Sequence, residues 1–207
     1  MMAPRPIIAF TVVCVLAGAS SRAFAQGGMP GMDHGKHRMG PDIVVPKGAP
    51  YTKADVEFMQ GMIAHHAQAI VMSRMAEANG ANPQVLKLSR KIDQSQVPEI
   101  IIMQHWLRRY GQFAPDTASW HDMRMDGMLT DEELEAMSQA KGVAFDRLFL
   151  TGMIKHHAGA IKMVDALFKS PGAGQEVDAS VFANDVVTAQ TAEIGIMRRL
   201  QSQLPPK

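Results

Sequence analysis

The 207-residue chain carries 21 Lys and Arg against 20 Asp and Glu, a formal net charge of +1. That balance supplies neither a nucleic-acid groove nor a charged patch for membrane surfaces. The length suits one domain, or two small ones, with a sizeable core, and a single cysteine, Cys14, excludes an internal disulfide framework.

Residues 1–25 read as a signal peptide. Arg5 stands near the start, an apolar run covers Ile7 to Ala17, and Ala23-Phe24-Ala25 precedes Gln26. The apolar run is too short for a bilayer span of about 20 residues, so no stable membrane insertion is expected and the product is periplasmic or secreted. Cleavage removes Cys14, Arg5 and Arg22, leaving a formal charge of −1 and no thiol. Thiolate nucleophiles and zinc–cysteine sites are then excluded. Fifteen of the seventeen methionines and all eight histidines remain, an excess of Met over ordinary domains.

Residues 26–50 are rich in Gly and Pro without apolar periodicity and predict a flexible, disordered tail. Met29, Met32, His34, His37 and Met39 give it the composition of an accessory metal site. An ordinary disordered leader fits the same composition.

The bundle is expected over 51–204. A capping box at Thr52 and Asp55 opens the first helix, which Asn79-Gly80 stops. Asn82-Pro83 restarts the chain with a good N-cap and Pro at the first helical position. The second helix runs to about Tyr110, with a kink or break at Pro98, which completes hairpin one over 52–110. A crossover over 111–143 holds His121, Met123, Met125 and Met128, then a short helix opened by the Thr130–Glu133 capping box. Hairpin two spans 144–203, with Ser170 to Gly174 as its turn.

The two hairpins are copies. Gly61-Met62-Ile63-Ala64-His65-His66-Ala67-Gln68-Ala69-Ile70-Val71-Met72 recurs as Gly152-Met153-Ile154-Lys155-His156-His157-Ala158-Gly159-Ala160-Ile161-Lys162-Met163. Asp55 and Phe58 match Asp146 and Phe149, and Gln96, Glu99, Ile100 and Met103 match Gln190, Glu193, Ile194 and Met197. Neither hairpin buries its apolar stripe alone, so the fold class is all-α, a four-helix bundle of two duplicated hairpins.

At 100° per residue, Met62, His65, His66 and Met72 fall within roughly 80° of Phe58, on the apolar arc. Met153, His156, His157 and Met163 repeat this about Phe149. Inward imidazoles need partners, which a metal or a carboxylate would supply. Thioether with imidazole and no thiolate is a copper-type donor set, for Cu(I) or Cu(II), and silver would follow Cu(I). A di-iron carboxylate centre needs Glu-x-x-His pairs, which are absent, and no Gly-x-Ser-x-Gly elbow is present. Glu99 and Glu193 either accept from the His rings or bond Gln96 and Gln190.

The repeated Phe-x-x-x-Met-Ile-x-His-His-x-x-Ala-Ile-x-Met, followed by Gln-x-x-Glu-Ile-x-x-Met, resembles the bacterial family filed as domain of unknown function 305. The resemblance covers about residues 52–203, and Met125-Asp126-Gly127-Met128-Leu129-Thr130 looks like that family's Met-rich connector. It implies a ferritin-like bundle and periplasmic copper binding by Met62, His65, His66, Met72, Met153, His156, His157 and Met163, and it adds Met103 and Met197. The expected function is exported, non-catalytic copper sequestration, or hand-off to a copper exporter or another carrier. The alternatives are a ferritin-like metalloenzyme and a structural bundle whose His pairs only hydrogen-bond.

Overall fold

The computed structural model describes residues 40–206. The expected leader, and Met29, Met32, His34, His37 and Met39 of the tail, lie outside the described residues. Five α-helices follow in order: α1 Lys53–Ala78, α2 Pro83–Arg109, α3 Asp131–Gln139, α4 Gly142–Lys169 and α5 Val177–Ser202. A 3₁₀ turn at Thr117–Asp122 lies between α2 and α3, and no strand occurs among the described residues.

Local chemistry sets the helix ends. Thr52 N–H donates to Asp55 Oδ2 at 2.7 Å while Asp55 N–H donates to Thr52 Oγ1 at 3.3 Å, the reciprocal pairing of a capping box. Asn82 Oδ1 accepts from Gln84 N–H at 2.9 Å beside Pro83. Thr130 and Glu133 repeat the box for α3. The break expected at Pro98 is absent. α2 continues through it, although Pro98 offers no N–H to the Gln94 carbonyl. Packing of α2 along α1 holds the helix together across the missing bond. The crossover also contains more order than its composition suggests, because Asp116 Oδ1 accepts from Ala118 N–H at 2.8 Å and starts the 3₁₀ turn.

α1 packs chiefly on α2 and α4 on α5, while α1 faces α4 across the seam between hairpins. The seam is antiparallel. The start of α1 meets the α4–α5 turn, where Gly174 N–H donates to Asp55 Oδ1 at 2.7 Å. The start of α4 meets the α1–α2 turn, where Asn82 N–H donates to Asp146 Oδ1 at 3.1 Å. Each repeat's aspartate therefore ties down the loop of the other repeat. Phe58, Met59, Ile63, Phe145, Phe149 and Leu150 fill the core between them. At one end Trp106 Nε1–H donates to Glu176 Oε2 at 2.7 Å, with Tyr51 and Tyr110 packed on the indole. Residues 40–50, assigned to the tail on composition, carry no helix, yet Ile43, Val45 and Ala49 pack against the core.

The crossover is bonded to the seam. Gln68 uses both ends of its amide on Leu129, donating to its carbonyl at 3.0 Å and accepting from its N–H at 2.8 Å. Gly127, at φ 82°, lies on α4 opposite Gly159. A Cβ at Gly159 would fall 1.9 Å from the Asp126 carbonyl oxygen.

Replacing a helical Gly by Ala ordinarily stabilises by up to about 1 kcal/mol. Gly195→Ala, with nothing within 4 Å of the new methyl, should follow that rule. Gly159→Ala should reverse it, destabilising by roughly 1–3 kcal/mol as the crossover is pushed away. Paired urea denaturation of the two variants checks this. Equal stabilisation by both would mean that the crossover is not seated on α4.

Candidate metal centre

His65, His66, His156 and His157 are all fully buried, at 0% exposure. Adjacent helical positions diverge by about 100°, so the two rings of each pair take different partners. The first ring of each pair faces the other repeat: His65 and His156 lie 3.8 Å apart between ring centroids, tilted by 42°. The second faces its own hairpin mate. His66 Nε2 lies 2.8 Å from Glu99 Oε2, and His157 Nε2 lies 2.9 Å from Glu193 Oε2. Glu99, His66, His65, His156, His157 and Glu193 thus make a polar layer across an apolar bundle.

Hydrogen bonding assigns the protons. The Asp126 carbonyl can only accept, so His65 Nε2–H, 3.1 Å away, donates to it. A carboxylate also only accepts, so His66 and His157 donate from Nε2 to Glu99 and Glu193. The Nδ1 lone pairs of these three rings therefore point into the protein with no hydrogen-bond partner among the described residues. His156 is barer still: neither ring nitrogen makes a hydrogen bond of good geometry, and the His65 backbone is near enough only to oppose the fall of its pKa. An N–H held by a carboxylate with a lone pair on the other nitrogen is the arrangement that supports metal-ligating histidines.

Burial disfavours the charged form of His65, His156 and His157. Burial, then the neighbouring His66, pushes His65 down to about 3, against the pull of its bond to Asp126. Burial, then His65, takes His156 well below the ordinary imidazole value. His157 is lowered by burial despite its bond to Glu193. For Glu193, burial works to raise the carboxyl, but the bonds to His157 and the nearby Lys91 outweigh it and hold the group below its ordinary range.

The methionines divide into two sets. Met62, Met103, Met153 and Met197 are fully buried. The His66–Glu99 bond sets the register of α1 against the antiparallel α2, so Met62, four residues before His66, and Met103, four residues after Glu99, come level about 6 Å along the axis. Met153 and Met197 do the same beside His157 and Glu193. Met72 and Met163 do not join these groups. Each stands seven residues past the first His of its pair, about 10 Å along the helix, and the antiparallel seam sends them in opposite directions. Met72 ends against Gly152 and Met163 against Gly61. By register these side chains fall into two half-sets of one imidazole and two thioethers, with the His65–His156 pair between them. Among the described residues, no three His, Cys, Asp or Glu side chains converge on one point.

Two neighbours of the layer escaped the sequence reading, the Gln68 side chain and the Asp126 carbonyl, and Met125, placed there in the crossover without a site role, has its Sδ over Gly61. The signal for the first was the eighth motif position, where Gln68 stands against Gly159.

Unfolded imidazoles take up protons below about 6.5, whereas His65 waits until about 3 and His156 also lies far lower. Between those limits the unfolded chain binds more protons, so stability should fall on acidification by about 1.4 kcal/mol per pH unit for each excluded proton. Loss of the Glu193 contribution should join it only below its ordinary 4.5. Urea midpoints of the metal-free protein at pH 7 and pH 5 test this, with His156→Gln expected to flatten the slope. A midpoint independent of pH would mean that the rings are not buried as neutral groups.

Comparison with known proteins fits this geometry. The family model described as Domain of unknown function (DUF305) matches residues 55–201. A DUF305 fragment from Deinococcus radiodurans is similar over 75% of this chain and 100% of its own, with a TM-score of 0.67 and 29% identity. A DUF305 protein from Streptomyces coelicolor, designated as secreted, has a TM-score of 0.64 and 26% identity, covering 75% of this chain and 95% of its own. CopM in its Cu(I)-bound form has a TM-score of 0.58 and 28% identity over 72% of this chain and 95% of its own. No curated protein matches in sequence. Among the described residues, no helix is long and apolar enough to cross a membrane. With the duplicated His-His helices, the all-helical bundle and a family match over most of its length, the chain belongs to the DUF305 family.

Proposed function

We propose that this protein is an exported copper binder that sequesters Cu(I) or Cu(II), or hands it to a copper exporter or another carrier. The observation that carries the reading is the set of buried imidazole nitrogens without partners, above all both nitrogens of His156. An unsatisfied buried polar atom costs about 1–3 kcal/mol, and several in one layer call for a ligand. The donors that could hold it are His65, His66, His156 and His157, with Met62 and Met103 on one side and Met153 and Met197 on the other. Neutral thioether and imidazole suit Cu(I), imidazole accommodates Cu(II), and silver follows Cu(I). Similarity to CopM, whose structures include Cu(I)-, Cu(II)- and Ag-bound forms, supports the same choice.

The division proposed is a cleaved leader over 1–25, a tail over 26–50 and a bundle over 51–204. The leader and the secreted designation of one structural neighbour support a periplasmic or secreted location. The tail donors Met29, Met32, His34, His37 and Met39 would add an accessory site. One observation favours a purely structural role for two of the rings: Glu99 and Glu193 already bond His66 and His157. That role leaves His156 unexplained.

Copper content after reconstitution, with and without reductant, tests the reading. His65→Ala/His66→Ala and His156→Ala/His157→Ala should each lose roughly half of the interior copper, because each removes one of two duplicated imidazole donor sets. Circular dichroism reports whether each variant is folded. Unchanged retention in both folded variants would overturn interior binding, and uptake of no metal by the parent would leave the structural role.

A further inference from the structure

Met125 and Met163 come together at a place that the interior half-sets do not use. A Cβ built on Gly61 would lie 3.3 Å from Met125 Sδ and 3.3 Å from Met163 Cε. The two thioether ends, one from the crossover and one from α4, therefore meet over a single glycine of α1. Gly61 precedes His65 by four residues, one turn along the same face. Met163 is 6% exposed and Met125 is half-buried, so the pair reaches towards solvent on the crossover side, one turn of α1 from His65.

The equivalent place in the other repeat is closed. Gly152, four residues before His156, is covered by Leu129, Met137 and Met72 at 3.0, 3.2 and 3.4 Å from a built Cβ. Met72 and Met137 are 0% and 1% exposed. A thioether pair thus sits on each glycine one turn before a central histidine, one Met of each pair from the duplicated helices and the other from the single crossover segment, and of these two only the Gly61 pair opens outward. It is also mechanically tied to its histidine, because Asp126, the residue after Met125, provides the carbonyl that holds His65 Nε2–H.

We propose that Met125 and Met163 form a solvent-side acceptance site for a monovalent soft cation, Cu(I) or its analogue Ag(I), with His65 as the next donor inward. Neutral, polarizable thioethers on unbranched side chains bind such an ion without burying an unpaired charge of their own. His65 keeps its Nε2–H on the Asp126 carbonyl and offers the unpartnered Nδ1 lone pair to the ion. The site is independent of the interior reading, but its use as an entrance rests on that reading.

The test is a titration of the full exported chain, labelled with ¹³C at the methionine methyls and ¹⁵N in the histidine rings, with Ag(I). The Met125 and Met163 methyl signals should shift at the first substoichiometric additions, ahead of Met62, Met153 and the His65 and His156 rings. Met125→Leu, close to volume-conserving, should abolish the early Met163 shift and slow interior loading, while Met137→Leu should do neither. Interior signals that shift while Met125 and Met163 stay silent would overturn this site and leave interior binding standing. Early Met125 and Met163 shifts with silent interior rings would uphold the site and overturn interior binding. Equal slowing by Met137→Leu would also overturn the proposal, because general repacking would then explain the effect.

Discussion

Removing four imidazoles from water between α1 and α4 is a desolvation problem that the surrounding structure answers only in part. Three rings donate from Nε2, to Glu99, to Glu193 and to the Asp126 carbonyl. His156 makes no well-formed hydrogen bond among the described residues. The helix positions of Glu99 and Glu193, the close antiparallel seam and the path of the crossover all bear on this layer. A bundle selected for packing alone would place Leu or Ile there, since filling a core needs no polar atoms. Imidazoles with lone pairs turned inward leave the layer with buried polar atoms that packing alone does not use.

Much of the fold was legible because its signals are local. Thr52, Asn82 and Thr130 act over two or three residues, and a cap reads the same whatever packs above it. The duplication fixed the number of long helices and their pairing into hairpins. The inward arc of the His pairs followed from helical periodicity alone. Tertiary direction was not legible. On one helix Met62, His66 and Met72 share an arc, but whether they meet the equivalent residues of the other copy depends on how the two helices run. Antiparallel packing sends Met72 and Met163 to opposite sides of the His layer. At Pro98 the break did not occur for a related reason, since α2 packs along α1, a neighbour absent from a local reading.

The differences between the copies proved as informative as the identities. A twofold arrangement has room for two equivalent sets of seam residues, yet the crossover passes over the seam only once. Gln68 grips Leu129 on one side, and Gly159 clears space for Asp126 and Gly127 on the other. Lys155, where α1 has Ala64, reaches Glu133 of α3 at 2.7 Å. Each departure marks a place touched by the one segment that has no counterpart. The same asymmetry leaves one Met pair half-open at Gly61 and seals the other at Gly152.

The reciprocal ties made by Asp55 and Asp146 have a consequence for how such a molecule can be assembled. In an isologous dimer, residue i of one subunit contacts j of its partner while j contacts i. Here the first aspartate holds the second loop and the second aspartate holds the first loop, within one chain. This is the contact pattern of a twofold homodimer whose subunits have been joined end to end. A separated hairpin would carry an aspartate with no loop to hold and a loop with no aspartate, and pairing with a second copy of itself would supply both. The crossover then serves as a tether that turns a concentration-dependent association into an intramolecular one, and it leaves two formerly equal halves free to diverge.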